Sequence, residues 1–316
     1  MKSFFITGAA GFIGSHVCEE IIEQYPKAKI FVLDKLTYAG NIKFIKDLIL
    51  KKKIKFIKGD MINVKIYSKY LRNIDCAINV AAESHVGNSF TNSINFTKTN
   101  VLGTHTFVQE CINKNVKKII HISTDEVYGD KIKGKSKETD KLNPTNPYSA
   151  SKAAAEMILN SYKFVHKKNI IIVRANNIYG IRQYPEKLIP ACITSLLKNK
   201  KINIHGNGKN IRHFLSVKDF CKALILIIKK VNLGIYNIGC NEKFQNIEIA
   251  KKISLLMNKK NKIRHVEDRP FNDTRYSITS NKLNKLGWTP KDKLFLMLPQ
   301  IITWYKDNMK IFRKIN

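Results

Sequence analysis

The chain has 316 residues, 44% hydrophobic and 25% charged, which excludes a disordered or fibrous chain and allows a sizeable core. Its formal net charge is +32, from 56 Lys and Arg against 24 Asp and Glu. The lysine clusters at 51–53, 198–201, 229–230 and 259–260 carry no interleaved aromatics. No specific nucleic-acid partner is therefore expected, and a diphosphate cofactor with an anionic nucleotide substrate suits such a surface equally well.

In chain order, residues 4–7 read as a short buried strand, followed by the glycine-rich turn 8–14 and a helix to about residue 24. Residues 30–34, 55–58, 75–80, 118–123 and 170–174 read as further strands. Helical patterns at 97–114 and from about 149 lie between them. This alternation predicts an α/β fold, a Rossmann-like doubly wound parallel sheet with helices on both faces. After Gly180 the pattern changes: Pro185 and Pro190 interrupt it before a helix at 193–200, and Gly206-Asn207-Gly208 signals a turn. Strands at 214–217 and 236–239 flank a helix near 218–230, and helices follow at 246–257 and from 294. Residues 1–180 are expected to form the Rossmann-like domain, to which 214–240 return. Residues 181–316 would form mainly a smaller α/β substrate-binding lobe.

The six cysteines, Cys18, Cys76, Cys111, Cys192, Cys221 and Cys240, are scattered, without a C-x-x-C pair or zinc spacing. They read as buried thiols of a reducing compartment, and no metal is expected. No apolar run reaches the roughly 18 residues of a membrane span. A cytoplasmic protein without a membrane partner is expected.

Gly8, Gly11 and Gly14 form G-x-x-G-x-x-G between a strand and a helix. The first makes the turn, the second lets backbone approach a pyrophosphate, and the third lets helix pack on strand. Asp34 ends the second strand about 20 residues on, where a carboxylate accepts from a ribose 2′-hydroxyl and repels a 2′-phosphate. That favours NAD over NADP. Asp60, after the third strand, stands where an adenine contact is expected, or is a turn residue.

Tyr148 and Lys152 are spaced i, i+4 on one helix face. Lys152 is expected to hold positive charge near the phenol and lower its pKa, so that the phenolate can take a hydroxyl proton. Asp125 and Glu126 follow the fifth strand and Thr124, and carboxyl ends of strands face the ligand crevice. Two neighbouring carboxyls in different environments can serve as one acid and one base. Such a pair could also cap a helix. Beside Tyr148 and Lys152 it points to proton removal and water loss in addition to hydride transfer.

The chain resembles the extended short-chain dehydrogenase/reductases, and within them the nucleoside-diphosphate-glucose 4,6-dehydratases. The resemblance rests on the segments 7–14, 34–41, 81–86, 123–129, 146–152, 176–180, 184–190 and 268–270. Thr124-Asp125-Glu126 together with Pro185-Glu186-Lys187-Leu188-Ile189-Pro190 is its most specific part. It implies that Tyr148 removes the sugar O4 proton while C4 gives hydride to NAD. Thr124 would bond O4, Glu126 remove the C5 proton, and Asp125 protonate the departing C6 hydroxyl. Hydride would return to C6, leaving a 4-keto-6-deoxy sugar nucleotide and regenerated NAD.

The resemblance also implies that Phe12, Ile13, Lys35, Thr37, Met61, Ala81 and Ala82 join the cofactor contacts with Gly8, Gly11, Gly14, Asp34, Asp60, Tyr148 and Lys152. Substrate contacts would come from Ser84, Asn177, Glu186, Lys187, Leu188, His205, Arg212, Asn241, Arg269, Asn272 and Tyr276. Arg212 and Arg269 would take the diphosphate, which a guanidinium fork suits. Gly87-Asn88 stand where bacterial dTDP-glucose enzymes usually carry Asp-Arg. His205 and the run 269–273 look more like UDP-glucose 4,6-dehydratase domains. dTDP-glucose is thus the expected substrate, with UDP-glucose the alternative and a nucleotide-sugar 4-epimerase a more distant one. Helices near 97–114 and 149–166 resemble those that pair in this family's homodimers.

Overall fold

In the computed structural model, residues 1–166, 168–259, 262–268 and 273–312 are described. Among them are twelve strands: β1 (Ser3–Thr7), β2 (Lys29–Asp34), β3 (Lys55–Lys58), β4 (Cys76–Asn79), β5 (Lys118–Thr124), β6 (Asn169–Ala175), β7 (Asn177–Tyr179), β8 (Ile202–His205), β9 (Ile211–Ser216), β10 (Gly234–Ile238), β11 (Lys243–Gln245) and β12 (Ile263–Val266). Seven form one parallel sheet in the order β10-β6-β5-β4-β1-β2-β3. The order reverses between β1 and β4. That switch point opens a crevice at the carboxyl ends of the strands, where α/β folds bind ligands.

The strands are apolar along their length because both sheet faces are covered. Every residue of β1, β4 and β5 is buried. Helices Phe12–Gln24 and Val217–Lys230 close one face through Val17, Ile21, Phe220, Leu224 and Ile227. Helices Thr104–Asn113 and Pro147–His166 close the other through Phe107, Val108, Cys111 and Leu159. A third apolar cluster joins helices Leu188–Leu197, Asn246–Leu256 and Leu294–Asn308. Two small sheets, β11-β9-β7 and β12-β8, border it.

Three local features depart from the sequence reading. Helix Leu188–Leu197 starts five residues before the predicted 193, with Pro190 inside its first turn. First-turn N–H groups have no intrahelical acceptor, so the proline removes no hydrogen bond there. Helix Pro147–His166 begins at Pro147 because Asn146 caps it: Ser149 N donates to Asn146 Oδ1 at 2.9 Å, and Asn146 N donates to Ser149 Oγ at 3.2 Å. The predicted helix at 97–114 opens as a π-helical stretch, Thr97–Gly103, before its α-helical part.

Candidate active site

A cavity of about 490 Å³ runs from the glycine turn across the carboxyl ends of the strands. At one end, Gly8 adopts φ +67°, a left-handed conformation that glycine holds without strain. A Cβ on Gly14 would stand 2.0 Å from Gly8 O, so only glycine lets the helix start so close to the turn. The N-cap Gly11 offers no side-chain acceptor to helix Phe12–Gln24. The first-turn amides beside the cavity thus keep the anion-binding character of a helix N-terminus.

Asp34 is held by two backbone donors, Ala10 N at 2.9 Å and Leu36 N at 2.7 Å. Burial pushes its carboxyl pKa up, and these donors pull it back. Lys35 pairs with Asp60 at 2.8 Å across the same wall. Thr37, Met61, Ala81 and Ala82 complete that half of the lining. Further along, Ser123 Oγ is buried, lines the cavity and has no partner among the described residues. A glycine turn beside first-turn amides, a buried carboxylate at the end of β2 and an orphaned hydroxyl fit a dinucleotide.

β5 leads to the candidate reacting groups at the other end. Its last residue, Thr124, caps a one-turn 3₁₀ helix, Asp125–Tyr128, by accepting from Glu126 N at 3.2 Å. Three residues per turn make successive side chains diverge by about 120°. The two carboxylates therefore do not both point into the crevice, as adjacency suggested. Glu126 lines the cavity, whereas Asp125 is 3% exposed and lies outside the lining. Asp125 Oδ2 accepts from Asn176 Nδ2 at 2.6 Å and Oδ1 from Thr124 Oγ1 at 3.3 Å. Burial, then the charge of Glu126, pushes the Asp125 pKa up to about 7. Burial also raises Glu126, against the pull of Lys187 and Arg212.

Tyr148 lines the cavity within hydrogen-bonding reach of Thr124. Burial and the Glu126 charge raise its pKa, contrary to the expected lowering by Lys152. The lysine is buried as well, which weakens its charge. Lys152 Nζ donates to Ile122 O at 2.6 Å and meets His121 Nε2 at 3.1 Å, and its own burial draws its pKa down to about 7. Beneath the site, Arg174 forms a buried two-pronged pair with Glu156 and donates to Tyr128 Oη at 2.6 Å. This locks the 3₁₀ turn to the helix that carries Tyr148 and Lys152.

Of the predicted substrate contacts, Ser84, Asn177, Glu186, Lys187, Leu188, His205, Arg212 and Tyr276 line this cavity. Lys187 Nζ donates to Ser84 O at 2.6 Å, and Tyr38 Oη to Glu186 Oε1 at 3.0 Å, joining the two sides of the mouth. Asn241 is not among them. It accepts from Lys135 Nζ at 2.6 Å and lines a separate cavity, because the chain turns away from the crevice after Cys240. Arg269 and Asn272 lie outside the described residues. Sequence reasoning missed Asn146 and Asn176, which donate to Glu126 and Asp125, as well as Asp273. The two asparagines stand inside or beside motifs already singled out, while Asp273 offered no local signal.

Residues 5–300 match the family described as GDP-mannose 4,6 dehydratase. The chain is 39% identical to the dTDP-D-glucose 4,6-dehydratase of Dictyostelium discoideum, covering 100% of this chain and 84% of that one. This chain belongs to the nucleotide-sugar 4,6-dehydratase family. Among other members, it is 41% identical to a trifunctional UDP-glucose 4,6-dehydratase/UDP-4-keto-6-deoxy-D-glucose 3,5-epimerase/UDP-4-keto-L-rhamnose-reductase of Arabidopsis thaliana. That match covers 97% of this chain and 47% of the plant protein. A dTDP-glucose 4,6-dehydratase of Streptomyces venezuelae, solved with NAD and TYD bound, superposes with a TM-score of 0.94. It shares 34% identity over 98% of both chains.

Proposed function

We propose that this dehydratase acts on dTDP-glucose, converting it to the 4-keto-6-deoxy nucleotide sugar with NAD as a recycled cofactor. One observation carries the reading: Tyr148 and Glu126 line the same cavity wall, with Asp125 directly behind. Tyr148 suits alcohol oxidation, and the carboxyl pair suits loss of water. NAD bound along the glycine turn supplies the electron-pair acceptor at C4, the donor at C6 and a positive charge beside Tyr148.

In this reading Tyr148 accepts the O4 proton while Thr124 positions O4. Lys152, fixed by Ile122 O, holds the helix face beside the sugar. The C4 ketone acidifies C5–H, and Glu126 removes that proton. Asp125, whose pKa near 7 keeps much of it protonated at neutral pH, supplies a proton to the leaving hydroxyl through Thr124 Oγ1, its hydrogen-bond partner on the cavity wall. One proton enters the protein and one leaves with water. Lys187 and Arg212 line the same cavity, where their charge suits a diphosphate.

UDP-glucose is the alternative substrate. It is favoured by the identity to the plant enzyme and by Gly87-Asn88 and His205. Incubating the purified protein with each nucleotide sugar, without added NAD, tests both. Loss of one water by mass spectrometry is expected, faster with dTDP-glucose. A C4 epimer of unchanged mass would instead favour the epimerase reading.

The same reading assigns residues 1–180 and 214–240 to cofactor binding and most of 181–316 to the sugar nucleotide, in a cytoplasmic homodimer. No described helix is long and apolar enough to cross a membrane. Exposed Ile94, Leu102, Met157, Phe164 and Val165 on the helical segments 93–103 and 147–166 support a self-association face. Light scattering of Phe164→Glu should then give monomer mass.

A further inference from the structure

We propose that Tyr276 and Asp273 form a dedicated acceptor for the protonated carboxyl of Glu126, and so set when that group takes and releases the substrate's C5 proton. The inference rests on reading Glu126 as the C5 base. Tyr276 Oη lies 3.5 Å from Glu126 Oε2, while its hydrogen bond to Asp273 Oδ2 is much the shorter. A phenol carries a single hydrogen. With that hydrogen committed to Asp273, the oxygen turns lone pairs toward Glu126.

Asp273 is kept in the accepting role by its surroundings. It is 3% exposed, and Thr145 Oγ1 reaches both of its oxygens, at 2.9 and 2.8 Å. Asn210 Nδ2 donates to its main-chain oxygen at 3.1 Å. The Tyr276 ring is fixed in turn by the Arg212 guanidinium, 4.7 Å from its centroid. The two states of Glu126 therefore meet different environments. The carboxylate faces a lone pair, whereas the acid finds an oxygen to which it can donate.

The other charged or titratable groups facing Glu126 divide. Lys187 and Arg212 favour the carboxylate, as does the amide of Asn146, which donates at 3.4 Å to the same Oε2. Asp125, Asp273 and any ionised form of Tyr148 favour the acid. Tyr276 and Asp273 add an acceptor, which favours the acid by hydrogen-bond direction as the Asn146 donor favours the carboxylate.

The step balances. The C5–H electron pair forms the C5–C6 double bond, and the C6–O bond breaks. The hydroxyl leaves as water with the Asp125 proton, and Glu126 keeps the C5 proton, donated toward Tyr276 Oη. The hydride later gained at C6 is the one lost from C4, so no outside oxidant or reductant enters. Tyr276 and Asp273 act through Glu126 and are positioning residues.

The test follows C5 hydrogen exchange of the dTDP-4-keto-6-deoxy sugar in deuterium oxide. The NAD-loaded protein is used across a range of pH, with proton NMR as readout. This exchange needs only the base. Tyr276→Phe removes the acceptor, and Asp273→Asn removes its charge and frees the phenol to donate to Glu126. Both weaken proton binding at Glu126, so the acid limb of the exchange profile should move down by about one pH unit, a tenfold change in affinity. An unmoved limb in both variants would overturn the proposal, even if the plateau falls, because that is the signature of a merely structural role. An upward shift in Tyr276→Phe would also overturn it, since Tyr276 would then be a donor to the carboxylate. Glu126→Gln separates the two ideas: exchange at the wild-type rate would sink the base assignment itself. Lost exchange there, with unmoved limbs elsewhere, would sink only the Tyr276–Asp273 proposal.

Discussion

Asp125→Asn should cost activity and stabilise the fold, and the gain should depend on pH. The wild-type carboxyl is buried, and its pKa is raised from 3.8 to about 7, first by burial and then by the Glu126 charge. The folded state therefore binds a proton more tightly than the unfolded chain. That contribution is fully present below the unfolded pKa and is lost as pH rises through the folded value. About three pH units at ~1.36 kcal/mol each set a ceiling of about 4 kcal/mol at alkaline pH. The asparagine never ionises, and it can still accept from Asn176 and donate toward Thr124. Denaturant unfolding of both proteins, at fixed saturating NAD, should show the variant's relative stability rising from about pH 4 and levelling off above about pH 7. In a Glu126→Gln background the rise should shrink, because one of its two causes is gone. A difference that stayed flat across this window would refute the raised pKa and, with it, the acid role of Asp125.

Glu126→Gln should retain C4 oxidation but lose elimination by at least about a hundredfold. Reduced nicotinamide absorbance should then build up on the enzyme, whereas Tyr148→Phe should show no such rise. Gly14→Ala places a methyl group 2.0 Å from Gly8 O; the purified protein should carry no NAD, as judged by the absorbance of the supernatant after denaturation. Arg174→Ala strands Glu156 as a buried, unpaired charge and should cost about 3–5 kcal/mol in unfolding free energy. Adding Glu156→Leu should recover part of that loss.

The glycine turn and the end of β2 were legible because their signals are local. The turn from β1 into helix Phe12–Gln24 needs glycine at fixed offsets, and Asp34 ends β2 at a fixed spacing, so residue order alone locates them. The small strands β7, β8, β11 and β12 were not legible. They are three or four residues long, and their partners lie far away in sequence, as with Ile202 beside Ile263. The C-terminal part of β9 was read correctly, but its start at Ile211 depends on pairing with β11.

The amino-acid sequence by itself determined the doubly wound sheet, the NAD fingerprint and the residue types of the chemistry, since periodicity, glycine positions and motif spacing are properties of neighbours along the chain. Only the tertiary structure decided which way those groups face. The 3₁₀ turn separates Asp125 from Glu126 and buries the first. Lys152 Nζ is buried on the carbonyl of Ile122, and that burial draws its pKa down to about 7. Asp273 and Tyr276, about 150 residues beyond Glu126, arrive beside it only because the chain folds back over the crevice. Proton affinity is set by burial and by the direction of nearby hydrogen bonds, and both are fixed by contacts between distant segments.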